Sequence, residues 1–268
     1  KEKLSQIYKK KKIFSISKVE NNLILNFLKV KEDDDFYKKK IFYKNYLNWL
    51  SKTLKLSLNQ IRKEIFSKIS IKKKRLKILF IGCGFGDEIL FFIKNYGRNH
   101  FIYAQDLSEI MIKYSVKLLK NYNVNLNISS ADSLPYKNSL FDIVFHFGGF
   151  NQFKNKKKCI FEMNRVAKSS GTVFFSDEGM APWLANTNRF KALKINNSLW
   201  SSLPPTRILP KFSNKVEIGW ILKNNFYYVK FTKKINSFSL DLDVKHKSPR
   251  GGSIRSRYEN YYNKKLTK

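Results

Sequence analysis

Cysteine is scarce in this chain of 268 residues: there are two, Cys83 and Cys159, together with three histidines. They fall in separate segments without metal-ligand spacing, so no disulfide framework and no metal site is expected, and reduced, intracellular surroundings suit them. Long apolar runs are missing too. No stretch approaches the ~20 residues needed to cross a bilayer, and the opening KEKLSQIYKK has no apolar signal core. These absences point to a soluble, cytoplasmic chain with no transmembrane segment; without an initiating methionine, a few upstream residues are expected to be absent.

Acidic residues are also few, 20 against 53 lysines and arginines, giving a formal net charge of +33. Such a surplus ordinarily calls for nucleic acid or an anionic membrane as partner. Here lysine dominates over arginine, and the chain is rich in Asn, Ile, Phe and Tyr, the mix an AT-rich coding sequence produces. The clusters at 9–12, 38–40, 72–75 and 156–158 are scattered, and no recognisable RNA-binding module accompanies them. Nucleic acid stays open as a partner but is not the favoured one.

What is present centres on LFIGCGFGDE, residues 79–88. An apolar strand (77–81) runs into Gly82, Gly84 and Gly86, and Asp87 can cap a helix whose apolar residues Ile89, Leu90 and Ile93 recur at helical spacing until Gly97. Glycines at such a turn let a ligand approach the backbone with no Cβ in the way. A dinucleotide fingerprint, G-x-G-x-x-G, would need glycine at position 87, where this chain has Asp87. A second strand, 100–105, ends at Asp106, and Leu107 and the capping Ser108 open the next helix. A carboxylate at that strand end can grip both hydroxyls of a ribose, or simply belong to a helix N-cap. Strands follow at 125–129, 141–146 and 170–175, with a helix at 156–167 before the last. This alternation fits a parallel sheet.

The G-x-G-x-G turn, the segment Ala131-Asp132-Ser133-Leu134-Pro135-Tyr136, the string Phe141-Asp142-Ile143-Val144 and Glu162-Met163-Asn164-Arg165-Val166 with Gly171 fall in order along residues 76–178. Together they resemble the class I S-adenosylmethionine-dependent methyltransferases, and most nearly the ubiquinone/menaquinone-biosynthesis-like (type 11) group. The resemblance implies an α/β Rossmann-like fold: a seven-stranded, mostly parallel sheet with helices on both faces and an antiparallel terminal hairpin. It implies S-adenosylmethionine as cofactor, held by Gly82, Cys83, Gly84, Gly86, Asp106, Leu107, Asp132 and Ser133, with Asp132 accepting from the adenine amine. There are two departures. Phe80 stands where the family usually places an acid that helps hold the cofactor's amino-acid end, and Ser170 stands where a second glycine or proline is common.

The organisation expected is an N-terminal helical cap (1–75), a methyltransferase domain (76–240) with an insertion at 179–211, and a basic C-terminal segment (241–268). The runs 216–222 and 226–233 read as the terminal antiparallel strands. Methyl transfer is an in-line displacement needing alignment and often one base. His146, at the end of the fourth strand, is the candidate base, its competing role being a core or cofactor-bordering histidine; Asp177 and Glu178 are alternatives. Asn151 could orient the acceptor, and Arg250, Arg255 and Arg257 could fork an acceptor carboxylate or phosphate. The Asn/Asp-Pro-Pro-aromatic tetrapeptide of many nucleic-acid amine methyltransferases is absent after the fourth strand, where His146-Phe147-Gly148-Gly149 stands. The expectation is therefore a small-molecule methyl acceptor, with an RNA or protein methyltransferase, or a non-catalytic methyltransferase-like scaffold, as alternatives.

Overall fold

Runs rich in β-branched and aromatic residues, apolar on both faces, make interior strands, and the sheet follows from them. The computed structural model describes residues 4–9, 12–19, 22–29, 40–71, 75–210, 213–233, 252–253 and 256–257. The chain divides into two units, residues 1–234 and 235–268. In the first, β1 (Ser15–Val19), β2 (Asn22–Asn26), β3 (Lys77–Ile81), β4 (Phe101–Asp106), β5 (Val124–Ile128), β6 (Phe141–Phe147), β7 (Ala167–Glu178), β8 (Ser213–Ile221) and β9 (Phe226–Lys233) form one sheet. Its order is β1-β2-β5-β4-β3-β6-β7-β9-β8. Neighbours from β2 to β7 are parallel, while β9 runs antiparallel between β7 and β8.

The strands from β5 to β8 are the seven-stranded sheet implied by the sequence. The hairpin β1–β2 widens it to nine strands, although residues 15–26 read from the sequence as part of a helical cap. The sequence NLILN of β2 explains the difference: it lies parallel to β5, and Phe27 continues the pairing by donating its amide to the Ile128 carbonyl at 2.9 Å. Those bonds satisfy an edge that β5 would otherwise present to water. Helices do follow it. After the short α1 (Leu4–Ile7) near the start of the chain, these are α2 (Lys40–Leu54) and α3 (Leu58–Ser67), parted where Lys55 takes a φ of 51° and Ser57 opens a capping box with Gln60.

Alternation along each strand sends side chains to two cores. Ile78, Phe80, Ile102, Ala104, Ile143, Phe145 and Phe174 pack on one face with Ile65 and Phe66 of α3, Ile89 and Phe92 of α4 (Asp87–Tyr96), and Ile112 and Val116 of α5 (Glu109–Leu118). Leu79, Ile81, Tyr103, Val144, Val173 and Phe175 face the other way, against Ile160, Met163 and Val166 of α6 (Lys156–Val166). Each such side chain withdrawn from water contributes roughly 1.5–3 kcal/mol before entropy is counted. At the amino edge of the sheet, Asp142 Oδ2 accepts from the Lys77 amide and from Lys168 Nζ, both at 2.9 Å, pinning β6 to the start of β3 and to β7.

In the second unit, Ser253 and Ser256 exchange amide-to-hydroxyl hydrogen bonds of 2.8 and 3.1 Å. No helix among the described residues is long and apolar enough to cross a membrane.

Candidate cofactor and acceptor site

The register of the parallel strands decides which residues meet at the carboxyl edge. Asn127, Gln105, Ile81, His146 and Phe175 form one row across β5, β4, β3, β6 and β7. One residue further on, Asp106 pairs with Ile128, and Phe147 with Ser176, around the position where the chain leaves β3 at Gly82. The glycine turn therefore sits in the middle of the edge, between Asp106 and the loop that follows β6.

Gly82, Gly84 and Gly86 all lie in the left-handed region, with φ of 59°, 54° and 87°, which an L side chain occupies only under strain. The turn is held by its neighbours. Cys83 donates its amide to the Gln105 carbonyl at 3.0 Å, Gly84 donates to Asp106 Oδ2 at 2.9 Å, and Ser115 Oγ donates to the Gly84 carbonyl at 2.7 Å. The Cys83 thiol is buried, its pKa pushed up by desolvation and by Asp106, so this residue offers a ligand its backbone rather than its sulfur. Asp106 Oδ1 accepts from the Ser108 amide at 2.9 Å. Each carboxylate oxygen has a second lone pair, so both can also accept from a diol.

Asp132 accepts from Ser130 Oγ at 2.7 Å and faces Lys158 Nζ at 3.9 Å; Ser133 closes the same turn by donating its amide to the Ser130 carbonyl at 3.1 Å. Leu107 and Ser133 are both half-buried. The structure gives the Glu-x-x-Arg string a physical role. Glu162 Oε2 accepts from the Leu134 amide at 2.8 Å, while Arg165 donates to the carbonyls of Tyr136 and Leu134 at 2.8 and 3.1 Å and to Glu162 Oε1 at 2.6 Å. This pair clamps residues 134–136, downstream of Asp132. Burial raises the Glu162 pKa, but its bonds and charge contacts with Arg165 and Lys9 outweigh that and leave it below the usual range.

Four buried polar atoms on this row or just past it lack a partner among the described residues: Gln105 Oε1, Asn127 Oδ1, Ser129 Oγ and His146 Nε2. Unpaired groups of this kind are costly unless a ligand reaches them. A glycine cradle, a carboxylate able to take a diol, and unspent donors and acceptors beside them fit a nucleoside carrying an amino-acid end. Phe80 does not take part. Its ring lies in the core, 5.2 Å from Phe145 and 5.9 Å from Phe92.

His146 is almost fully buried. Its Nδ1 lies 2.8 Å from the Ile81 carbonyl, which requires that nitrogen to carry the proton, and desolvation lowers its pKa to about 4. A Cβ on Gly82 would meet the ring at 3.3 Å. The geometry thus places His146 against the turn, between it and Phe150 and Phe153.

Beyond β6 and β7 lies a second polar group of residues. Asp177 accepts amides from Gly149 at 3.1 Å, from Glu178 at 2.8 Å, and from Asn151; burial raises its pKa to about 6 against the opposing pull of those bonds. Asn151 is spent on protein, donating to the Glu178 carbonyl at 2.7 Å and accepting from Tyr227 at 2.8 Å. Glu178 Oε1 accepts from the Tyr46 hydroxyl on α2, and Oε2 from Asn197 Nδ2 at 3.1 Å. Burial raises its pKa, opposed by both donors. Spacing alone does not pair Tyr46 and Asn197 with Glu178, from which 132 and 19 residues separate them. Gly179 follows, and there a Cβ would lie 2.3 Å from the Ser202 carbonyl oxygen, so only glycine lets the insertion fold back this closely. Arg250 and Arg255 lie outside the described residues. Arg257 is exposed in the second unit, its amide donating to the Ser253 carbonyl at 3.1 Å.

Among known proteins, the methyltransferase domain family matches residues 72–230. The ubiquinone/menaquinone biosynthesis C-methyltransferase UbiE of Blochmanniella pennsylvanica is 26% identical over 144 residues, 50% of this chain and 52% of that protein. UbiE of Hydrogenovibrio crunogenus is 31% identical over 124 residues, 44% of this chain and 49% of that protein. The chain thus spans about half the length of these curated relatives. Phosphoethanolamine N-methyltransferase 2 of Haemonchus contortus, solved with S-adenosyl-L-methionine, shares the fold with a TM-score of 0.58 at 14% identity, over 75% of this chain and 59% of that one. With the glycine turn, the strand-end carboxylate and the sheet order already in place, the chain belongs to the class I S-adenosylmethionine-dependent methyltransferases, in the methyltransferase domain family.

Proposed function

We propose that this chain catalyses methyl transfer from S-adenosylmethionine to a small-molecule acceptor bound over the carboxyl ends of β6 and β7. The cofactor would lie on the turn Gly82–Gly86 with its ribose on Asp106 and its adenine beside Asp132 and Ser133, and it supplies an electrophilic methyl group. The observation that carries the acceptor assignment is the convergence on Glu178: Tyr46 from α2 and Asn197 from the insertion both donate to this buried carboxylate. Two segments outside the parallel sheet therefore wall off one polar site at the strand ends. The C-methyltransferase relatives, named for quinone biosynthesis, support a small acceptor.

The residues divide the work by their bonds. Glu178, with a raised pKa and two donors among the described residues on its four lone pairs, is suited to take the acceptor's proton. Asp177, accepting three amides, fixes the loop from Gly149 to Asn151, and Asn151 positions Glu178 and Tyr227 instead of reaching the acceptor. His146, pinned through Nδ1 and shielded from solvent, acts as the wall behind the glycine turn. Aromatic side chains stand beside this group, with Trp49 6.2 Å from both Tyr46 and Trp200, and they favour an acceptor with a planar or apolar body.

The test begins with calorimetric titration of the full chain with S-adenosylmethionine, S-adenosylhomocysteine and NAD, of which only the first two should bind. Methyl-labelled cofactor is then incubated with a cell extract and the label fractionated. Label in the low-molecular-weight fraction, lost in Glu178→Gln with cofactor affinity retained, supports the proposal; label in RNA or protein refutes the small-molecule acceptor.

A further inference from the structure

The amino edge of the sheet, opposite the glycine turn, holds a cavity of about 400 Å³ lined by Arg75, Arg98, Asn99, His100, Phe101 and Asn123. Its position follows from topology. Arg75 leads into β3, His100 and Phe101 open β4, Asn123 precedes β5, and Arg98 follows α4. The chain thus gathers at one edge the loops that enter three adjacent strands, just as it gathers at the other edge the loops that leave them.

The two arginines are set in a way that surface charge alone does not require. The Arg75 guanidinium lies over the Phe101 ring at 5.2 Å and that of Arg98 over the Tyr122 ring at 4.8 Å. Stacking on a ring holds the guanidinium plane while leaving its edge N–H groups free to donate. Among the described residues neither has a carboxylate partner, whereas Asp142, the acid at the start of β6, is already occupied by Lys168 and the Lys77 amide. His100 is engaged within the fold, its Nδ1 accepting from the Leu76 amide at 3.2 Å and its Nε2 facing the Tyr96 carbonyl at 3.1 Å. Two like charges lining one concave site repel each other, and an anion between them removes that cost. The amides of Asn99 and Asn123 bring further donors and acceptors to the rim.

We propose that this cavity is a second ligand site, specific for a phosphorylated small molecule, with Arg75 and Arg98 forking its phosphoryl oxygens and Asn99 and Asn123 contacting the remainder. The site is separate from the methyl-transfer edge, so its occupant is an effector or an anchoring group rather than the cofactor or the acceptor. An open concavity of this size suits a compact phosphate or diphosphate bearing a small organic part.

The test is calorimetric titration of the full chain with inorganic pyrophosphate at 0.15 M salt, where the general attraction of a chain of +33 is screened within about 8 Å. A saturable site of one-to-one stoichiometry is expected, weakened at least tenfold in Arg75→Leu/Arg98→Leu and several-fold in Arg75→Lys/Arg98→Lys, which keeps the charge and loses the fork. Lys156→Leu/Lys157→Leu on α6 removes the same charge elsewhere and should change nothing. Both arginines are exposed, so these variants should fold, and unchanged S-adenosylmethionine binding provides the check. Absence of a saturable site in the parent chain overturns the proposal, as does an equal loss in the lysine pair. An unphosphorylated single-stranded oligonucleotide that binds as tightly and is lost in the same arginine variant also overturns it, by making the pocket part of a nucleic-acid surface.

Discussion

The Gly84 amide donates to Asp106 Oδ2 at 2.9 Å, so the residue placed to hold a ribose also holds the turn that would carry the rest of the cofactor. Removing the carboxylate therefore has two effects. Asp106→Ala should weaken S-adenosylmethionine binding by at least about 10-fold, the floor set by losing one hydrogen bond to a charged group at ~1.5 kcal/mol, and should loosen the turn itself. Asp106→Asn keeps an oxygen for the Gly84 amide and should lie between. Calorimetry on the three chains decides it, and equal affinities would remove Asp106 from the cofactor site.

Acid stability should show two opposed contributions at the same strand ends. The Asp177 pKa is raised from 3.8 to about 6, so the folded chain holds this proton more tightly; the contribution is full below pH ~4 and is lost as pH rises to about 6. His146 is the reverse. Its pKa falls from 6.5 to about 4, so its contribution is full above pH ~6.5 and is lost as pH falls toward 4. Denaturant unfolding of Asp177→Asn should lose more stability than the parent on acidification from pH 6 to 4, and that of His146→Gln less. Parallel curves for parent and variants would contradict the burial of both groups.

Ser170 occupies a φ of 61°, in the left-handed region that favours glycine. A left-handed L residue costs roughly 1–2 kcal/mol, and glycine returns part of it as unfolded-state entropy. Ser170→Gly should therefore stabilise the chain, by about 0.5–1.5 kcal/mol, measurable as a higher urea midpoint with an unchanged slope. A lower midpoint would show that the Ser170 side chain contributes more than its backbone costs.

Restoring the family's acid at position 80 should fail. The Phe80 ring packs among Phe66, Phe92 and Phe145, and Phe80→Asp would both open a cavity, costing about 3–5 kcal/mol, and bury a carboxylate with no partner. Loss of cooperative unfolding, with no gain in cofactor affinity, is the expected result in thermal and calorimetric scans. A folded variant with tighter binding would mean that the strand can turn this residue toward the ligand.

Much of the parallel sheet was legible because its strands are short apolar runs between glycine- and Asp-bearing turns, and each landmark from Gly82 to Gly171 reports on a local hydrogen-bonding need. The hairpin at 15–26 was not, since its strands, SISKV and NLILN, are five residues each, and β5, which β2 joins, is remote in sequence. The acceptor site was half legible. Asp177 and Glu178 stand at a predictable strand end, but Tyr46, Asn197 and Tyr227 reach them only through tertiary packing, and no spacing encodes that. For His146 the sequence supplied position without environment: burial and the Ile81 carbonyl, both invisible in one dimension, set its proton and its pKa.

The N-terminal hairpin also has a kinetic consequence. Leu25 and Asn26 pair with Asn127 and Ile128, so β2 leaves the ribosome on the order of a hundred residues ahead of its partner, and contacts this distant slow the search for the native state. Until they arrive, the β5 flank stays open to pairing with another molecule. Nascent or refolding chains should be most prone to clump in that interval, and a chaperone that shields strand edges should help most then.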